Sequence, residues 1–307
     1  MVEQVQTDLV IIGAGTAGLT AGIYALRAGK KAIILEALTY GGQIVNSPDV
    51  ENYPGLAHVS GFDFATALYE QATGLGAELR FERAVAIEDL GREKLVKTGQ
   101  AEYRCKAVIL ATGAKNRPLG LEREKDLTGA GVSYCATCDG AFYRGKKVAV
   151  NGGGNTALED AAYLAEICDT VYLIHRRDEF RGDEKDVEAL RQKENVRFVL
   201  NATITSLVGD DRLTGVVVTD KNSGESETIE VDGLFVAIGQ MPDNRDFSPW
   251  VDLDAGGYIS AGENCVTKTP GIFTAGDCRT KQVRQLTTAA ADGAVAALAA
   301  CAYMGKA

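Results

Sequence analysis

The stretch that decides the fold is Asp8-Leu-Val-Ile-Ile-Gly13-Ala-Gly15-Thr-Ala-Gly18, a β-branched run followed directly by spaced glycines. An alanine-rich segment with helical periodicity continues from Thr16 to Ala28, and a second apolar run, Ala32-Ile-Ile-Leu-Glu36, comes next. This order predicts a strand, a helix and a parallel strand, the βαβ unit from which α/β sheets are built.

Each glycine of this loop occupies a position that a nucleotide-binding turn requires. Gly13 permits the tight turn, Gly15 lets a pyrophosphate approach the backbone amides, and Gly18 allows close packing of the helix. Glu36 ends the next strand, where a carboxylate can accept hydrogen bonds from ribose hydroxyls. A glycine-rich turn also occurs in unrelated α/β proteins, but the strand, the helix and the terminal acid together favour nucleotide binding.

A second copy of the pattern starts with the strand Lys147–Asn151 and continues with a helix from Thr156 to Ile167 and a strand from Thr170 to His175. The residues predicted to hold its nucleotide are Gly152, Gly154, Asn155, Thr156, Ala157, His175, Arg176, Arg177 and Arg181. Arginines stand here where the first copy has an acid, and guanidinium groups bind phosphate bidentately, so the pattern predicts NADPH through its 2′-phosphate. The alternatives are that the arginines only line a solvated helix start and that His175 is a packing residue.

Two further strands are predicted to carry the chain between domains: Lys106–Ala111 precedes Pro118, and Gly233–Gly239 precedes Pro242. The later segments, the strand Gly271–Asp277 and the helix Thr287–Ala302, still need a sheet to pack on. The economical topology therefore inserts the second nucleotide-binding half into the first.

Composition limits the classes of partner. A chain of 307 residues with 46% hydrophobic types can bury two cores. The net charge of −10 and the lack of a long basic run argue against nucleic-acid or anionic-membrane binding. No apolar run is expected to reach the about 20 residues that span a bilayer, and the polar N-terminus with Glu3 does not resemble a secretion signal, so a cytoplasmic location is expected.

Cys135 and Cys138 are the one close pair among seven cysteines. Their spacing places both sulfurs on one helical turn, within disulfide distance and near a helix N-terminus that lowers thiol pKa. A zinc site would need two more ligands, and no second close pair supplies them, so no metal is expected. A structural disulfide would close only a tiny loop, which favours redox chemistry. Asp139 is a candidate acid, or else a turn residue.

The other five cysteines are expected to be small core residues. They are Cys105, Cys168, Cys265, Cys278 and Cys301.

In joint order, the motifs resemble those of low-molecular-weight, bacterial-type thioredoxin reductases over essentially the whole chain. The matching segments are residues 13–18, 41–43, 51–55, 111–113, 135–140, 152–157, 175–181, 274–277 and 284–285. The resemblance implies an α/β fold of two Rossmann-like, three-layer ββα domains. An NADPH domain with the dithiol, residues 116–244, would be inserted into an FAD domain of residues 1–115 and 245–307.

The resemblance also implies roles for individual residues. Cys138 would lie next to the flavin, Cys135 would attack the disulfide of a thioredoxin-like partner, and Asp139 would be the acid. The family also implies a homodimer. The residues implied at the FAD site are Gly13, Gly15, Gly18, Glu36, Gly41, Gly42, Gln43, Asn52, Gly113, Asp277, Arg284 and Gln285.

The implied activity passes electrons from NADPH through FAD to the dithiol and then to the partner protein. One flavin face cannot hold both nicotinamide and dithiol, so the inserted domain is predicted to rotate about linkers near Pro118 and Pro242. A peroxidase-system reductase would need a fused N-terminal dithiol domain, for which no room is expected before Gly13. A ferredoxin-dependent enzyme would be expected to lack the second glycine loop, and a non-enzymatic redox sensor would show no turnover.

Overall fold

Two parallel five-stranded sheets organise the chain, of which the computed structural model describes residues 3–47 and 49–306. The helices are α1 (Thr16–Arg27), α2 (Gly61–Gly74), α3 (Glu124–Leu127), α4 (Ala136–Asp139), α5 (Asn155–Ala165), α6 (Glu184–Arg191) and α7 (Leu286–Lys306). The strands up to residue 116 are β1 (Glu3–Gln6), β2 (Leu9–Ile12), β3 (Ala32–Leu35), β4 (Glu78–Arg80), β5 (Ala86–Asp89), β6 (Lys94–Lys97), β7 (Ala101–Cys105), β8 (Ala107–Leu110) and β9 (Ala114–Asn116). The later strands are β10 (Val132–Ser133), β11 (Lys147–Asn151), β12 (Thr170–Ile174), β13 (Val196–Val199), β14 (Ala202–Val208), β15 (Gly215–Asp220), β16 (Ser226–Glu230), β17 (Gly233–Val236), β18 (Gln240–Pro242) and β19 (Ile272–Thr274).

The chain divides into two compact units, the first made of residues 1–115 and 241–307 and the second of residues 116–240. The first unit has three layers around the parallel sheet β19-β8-β2-β3-β4. Leu9 and Ile11 of β2 pack with α1 and α7, whereas Val10 and Ile12 face the sheet β1-β7-β6-β5. This alternation buries both faces of the central sheet and produces the ββα layering.

The second unit repeats this architecture with its own strands. Its parallel sheet has the order β10-β17-β11-β12-β13. Val148 and Val150 of β11 pack toward α5 and α6, and Ala149 between them packs toward the antiparallel sheet β14-β15-β16. Both βαβ units predicted from the sequence are therefore confirmed.

Element ends differ from the predictions by one to four residues, the largest difference being at the end of α7, which lies at Lys306 rather than Ala302. The strand β11 is as predicted, but β3 and β12 each stop one residue early, so Glu36 and His175 directly follow their strands. Helix α5 ends at Ala165 rather than Ile167, and the Ile167 carbonyl accepts the Gly145 N–H from outside the helix.

Helix α7 corrects the expectation that no apolar run reaches spanning length. Residues Leu286–Gly305 are long and apolar enough to cross a membrane by length and composition alone, with a mean hydropathy of 1.3. The helix nevertheless carries the buried acid Asp292 and packs its alanines against α1 in the core of the first unit. A hydrophobic core helix satisfies the same criteria, so this helix is weak evidence for a membrane span.

Candidate active site

The first glycine loop brings α1 closer to the strand ends than any side chain would allow. Gly13 has a φ of +109°, and a Cβ atom there would lie 2.2 Å from the Ala111 carbonyl oxygen. A Cβ atom at Gly18 would lie 1.8 Å from the Gly13 carbonyl oxygen. Both positions therefore require glycine, as a turn that receives a phosphate group would demand.

Glu36 and a second pair of glycines join this loop. The Glu36 carboxylate accepts hydrogen bonds from the backbone N–H groups of Ala14 and Leu38, each at 2.9 Å. Gly41 donates its N–H to the Ala14 carbonyl at 2.8 Å and forms a parallel bridge with Gly15. Gly41 and Gly42 both have positive φ, at 98° and 70°. The structure thus brings the predicted residues 13–18, 36 and 41–42 together.

Asp277 lies in a 3-10 turn after β19. Its Oδ1 atom is buried without a hydrogen-bond partner in the described part of the chain, and burial raises its pKa. Arg284 donates to the Asp277 carbonyl at 3.4 Å, and its guanidinium carbon lies 4.1 Å from the ring centroid of Tyr258. An unpartnered, buried carboxyl oxygen is a site where a ligand hydroxyl would be stabilised.

The remaining predicted residues of the first unit lie on loops. Asn52 donates its side-chain amide to Gln285 Oε1 at 3.2 Å, which links residues far apart in sequence. Gln43 is exposed in the 3-10 turn Gly42–Asn46, and Gly113 follows β8 with a φ of +67°.

In the second unit, the glycine loop after β11 is packed against a buried histidine. A Cβ atom at Gly153 would lie 2.1 Å from the His175 ring, and one at Gly152 would lie 2.4 Å from the Ala237 carbonyl oxygen. His175 is 6% exposed, stacks on Phe180, and its pKa is lowered by burial and by the nearby arginines. The structure therefore gives His175 a packing contact with the loop.

The arginine-bearing segment is hydrogen-bonded to the same loop. Arg181 donates its backbone N–H to the Gly153 carbonyl at 2.7 Å, and the Asn155 side chain accepts the Asp183 N–H at 2.9 Å. The side chains of Arg176, Arg177 and Arg181 are exposed, as are those of the loop residues Asn155 and Thr156, whereas Ala157 is buried. Gly154 has open space around its Cα. The basic side chains and the glycine loop are thus held in one surface region.

Cys135 and Cys138 form a disulfide with a Cα–Cα distance of 5.3 Å. Helix α4 starts at Ala136, so Cys135 caps the short helix on which Cys138 lies. Both cysteines are half-buried, and the Thr137 hydroxyl lies 3.5 Å from Cys135 Sγ. The predicted pairing of the two cysteines on one helical turn is confirmed, since their sulfurs bond to each other.

Asp139, the last residue of α4, is held by a serine. The Ser133 hydroxyl donates to Asp139 Oδ2 at 2.6 Å, while Asp139 Oδ1 is buried with no partner among the described residues. Burial raises the pKa of Asp139, and the hydrogen bond from Ser133 offsets part of that rise. A carboxyl group that resists ionisation can serve as a proton donor near neutral pH.

The dithiol helix packs against the helix that follows the second glycine loop. A Cβ atom at Gly140 would lie 2.8 Å from the Tyr163 ring and 3.1 Å from Leu164, both on α5. The dithiol helix and the second glycine loop therefore belong to one packed unit, and both contact α5.

Comparison with known proteins places this site in a family. The family model for pyridine nucleotide-disulphide oxidoreductases matches residues 7–293. The chain belongs to this family. It is 42% identical to a thioredoxin reductase of Mycolicibacterium smegmatis, with 96% of each chain covered. It is 39% identical to that of Bacillus subtilis, covering 97% of this chain and 94% of the relative.

A solved structure agrees closely with the fold of this pyridine nucleotide-disulphide oxidoreductase. The thioredoxin reductase of Streptococcus pyogenes superposes with a TM-score of 0.94 at 36% identity and covers 99% of both chains.

Sequence reasoning missed a buried ion cluster behind Asp277 in this oxidoreductase. Asp292 on α7 accepts the Gly276 N–H at 3.0 Å, and its other donors are Arg279, at 2.6 and 2.8 Å, and Lys281, at 3.0 Å. Burial alone would raise the pKa of Asp292, but these two cations lower it. The cluster fixes the backbone immediately before Asp277. Its only sequence signal was a lone acid in an alanine-rich helix.

A second residue that sequence reasoning missed is Glu124, which holds the segment before the cysteines in place through hydrogen bonds. Its buried carboxylate accepts the Tyr134 hydroxyl at 2.7 Å and the N–H groups of Leu119, Gly120 and Leu121 at 2.7 to 3.4 Å. One side chain thus ties the start of the second unit to the residue before Cys135. Nothing in the local sequence distinguishes Glu124 from the charged residues around it.

The five other cysteines behave as the sequence predicted. Four of them are buried and Cys301 is half-buried, and all five are free thiols. Burial raises the pKa of Cys105 to about 12 and that of Cys168 and Cys265 to about 11. Such thiols form little reactive thiolate, which leaves redox exchange to the Cys135–Cys138 pair.

One cluster of the described residues has ligand atoms at metal-binding distances from each other. Asp49, Glu51 and His58 place theirs within 4.8 Å, and the two last side chains are exposed. His58 is already hydrogen-bonded to Asp49 at 3.0 Å, which raises the His58 pKa. Exposed acidic groups commonly cluster in this way, and the absence of a functional metal stays a prediction.

Proposed function

We propose that this protein is a thioredoxin reductase that transfers two electrons from NADPH, by way of FAD, to the disulfide of thioredoxin or a thioredoxin-like protein. The observation that carries the proposal is the disulfide of Cys135 and Cys138 with Asp139 behind it, packed against α5 of the second glycine loop. Curated relatives with nearly full coverage bear the same name.

FAD fits the first unit. Gly13 and Gly18 hold the loop so close to the neighbouring backbone that a Cβ atom at either would lie within 2.2 Å of a carbonyl oxygen, and the orphaned Asp277 Oδ1 is an acceptor for a ribityl hydroxyl. Glu36 would accept from the ribose. When bound, FAD supplies a two-electron carrier between the nicotinamide and the disulfide. The other residues proposed to surround it are Gly41, Gly42, Gln43, Asn52, Gly113, Arg284 and Gln285.

NADPH is assigned to the second unit, residues 116–240. Its pyrophosphate would meet the backbone between Gly152 and Asn155 at the start of α5, where helix N–H groups favour negative charge. The exposed guanidinium groups of Arg176, Arg177 and Arg181 would bind the 2′-phosphate. His175 would support the loop through its contact with Gly153.

The cysteines then carry out thiol–disulfide exchange. Two electrons break the Cys135–Cys138 bond. Asp139 supplies a proton to the thiolate of Cys138, the cysteine assigned to the flavin side of the pair. The Cys135 thiolate attacks the partner's disulfide, forms a mixed disulfide and expels one partner thiolate. Cys138 returns its proton to Asp139 and attacks Cys135 as a thiolate, which restores the intramolecular disulfide and releases the second partner thiolate. Protons from Asp139 and solvent complete the two partner thiols.

The proposed activity is tested by following NADPH oxidation with the purified, FAD-loaded protein. Steady oxidation is expected only when oxidised thioredoxin is added, with one disulfide reduced per NADPH consumed. NADH is expected to be poorer by roughly ten- to a hundredfold, because it lacks the phosphate that the arginines would bind. A flavin that stays oxidised in stopped-flow mixing with NADPH would contradict the proposal. A single reduction event without turnover would favour a redox sensor instead.

We also propose that the protein is a homodimer. Large apolar side chains of the first unit stay exposed, including Leu38 at 78%, Phe62 at 57% and Leu298 at 53%. Exposed apolar area of this kind is usually covered by a partner surface. Light scattering of the purified protein is expected to give twice the mass of one chain. A single-chain mass at micromolar concentration would exclude the dimer.

A soluble, cytoplasmic protein is proposed from the state of the cysteines. Five thiols remain unpaired, which fits a compartment that keeps thiols reduced. Cell fractionation followed by immunoblotting tests the location, and recovery with the membrane fraction would contradict it.

A further inference from the structure

Ser133 lies at the centre of a hydrogen-bonded arrangement that connects Asp139 to the backbone of Cys135. It is the last residue of β10 and only 4% exposed. Its oxygen accepts the Cys135 N–H at 3.1 Å, and the Cys135 carbonyl lies 3.3 Å away. A hydroxyl has one proton to donate, and the 2.6 Å contact with Asp139 Oδ2 is the shorter of its two acceptor contacts.

Asp139 is fixed from a second direction by its own backbone. Its N–H donates to the Cys135 carbonyl at 3.1 Å, so side chain and main chain both lead back to Cys135. Oδ2 is occupied by Ser133, which leaves the buried Oδ1 as the oxygen available for proton transfer. The carboxyl group therefore has one defined orientation relative to the disulfide.

The titratable groups packed around α4 are few. Burial raises the pKa of Tyr143, in the 3-10 turn that follows, to about 12; the charges of Asp139 and Asp232 add to the rise and Arg212 opposes it. Helix α5 contributes Tyr163, which contacts Gly140, and carries Asp160, whose burial raises its pKa to about 7. No cation acts directly on the Asp139 carboxyl within this unit's described residues, so Ser133 is its one polar stabiliser there.

We propose that Ser133 is a positioning residue for the thiol–disulfide reaction, whose hydroxyl holds the Asp139 carboxyl and the Cys135 backbone in one fixed frame. The inference rests on the proposed function, which makes Asp139 the proton donor. Two consequences follow from the geometry. Removing the hydroxyl frees the carboxyl to rotate, and it removes a hydrogen bond that favours the ionised form.

The test compares Ser133→Ala, Ser133→Thr and Asp139→Asn with the wild type. In Ser133→Ala, kcat for thioredoxin reduction is expected to fall roughly tenfold, and the alkaline limb of its pH profile to move up by about one pH unit. Ser133→Thr keeps the hydroxyl and is expected to restore both values. Asp139→Asn is expected to abolish the limb. If Ser133 had only a structural role, Ser133→Ala would lower the unfolding temperature, and the alkaline limb would stay at the pH of the wild type.

A second readout needs neither NADPH nor thioredoxin. The protonated-carboxyl infrared band that disappears in Asp139→Asn is titrated in the oxidised protein, and its midpoint is expected to rise by about one pH unit in Ser133→Ala. A midpoint in Ser133→Ala equal to that of the wild type would overturn the inference. A wild type that fails to reduce thioredoxin would instead overturn the proposed function, and the titration would still report on Ser133.

Discussion

Cys138→Ser is expected to lose NADPH-driven thioredoxin reduction almost completely, with turnover falling by roughly three orders of magnitude or more. Serine has nearly the volume of cysteine, so the half-buried position beside α5 stays filled and the fold is retained. Its hydroxyl cannot form a disulfide or accept the electrons that break one. Cys135 remains as a free thiol that can attack the partner but has no neighbour to release it.

The same variant therefore predicts a covalent product. Mixed with oxidised thioredoxin and examined on a non-reducing gel, Cys138→Ser is expected to accumulate a mixed disulfide, whereas Cys135→Ser is expected to give none. Cys301→Ser, which changes a free thiol outside the site, is the matched control and should keep the wild-type rate. Equal NADPH consumption by Cys138→Ser and the wild type would contradict the dithiol relay, provided that both proteins retain FAD.

Gly18→Ala is expected to yield a protein with little or no bound flavin. The added methyl group would lie 1.8 Å from the Gly13 carbonyl oxygen and 2.9 Å from its carbon, so the loop and α1 must separate. Forcing a side chain into such a packed site costs about 1–3 kcal/mol of unfolding free energy and displaces the amides that would bind the pyrophosphate.

Gly74→Ala is the matched control for this variant. Gly74 is the exposed last residue of α2 and has open space around it, so alanine there is expected to stabilise slightly, by about 0.5–1 kcal/mol. Flavin absorbance per chain and urea unfolding measure both effects. A Gly18→Ala protein with full flavin content would show that the close approach of α1 is not needed for cofactor binding.

Local sequence pattern was enough to locate the sheets and the loops. The runs before Gly13 and Gly152 predicted parallel strands, because β-branched residues followed by a glycine turn and a helix rarely adopt any other structure. Helix and strand ends were less predictable, since they depend on hydrogen bonds to distant residues, such as the bond from Gly145 to the Ile167 carbonyl. Helix α7 runs from Leu286 to Lys306 and so extends beyond the predicted Thr287–Ala302 at both ends.

The supporting residues of the site could not be found in this way. Ser133 is an ordinary strand residue in sequence, and its role appears only when the chain folds back so that Asp139 meets its hydroxyl. Asp292 accepts the N–H of Gly276, and Glu124 accepts backbone N–H groups such as that of Leu119. Neither contact is visible in the sequence. The nucleotide assigned to each unit, the roles of single site residues and the rotation about the linkers stay predictions.

The composition of the first unit has a consequence for the order in which the protein folds during synthesis. Strand β19 and helix α7 belong to that unit but leave the ribosome only after the whole of residues 116–240. Until then α1 lacks the helix that packs against its Ala17 and Thr20, where Gly293 approaches the Ala17 carbonyl too closely for any side chain. The second unit can thus complete its core first, while the opening βαβ segment waits with apolar surface uncovered. A chain that stops short of Asp292 would leave a completed second unit attached to a first unit whose core cannot close.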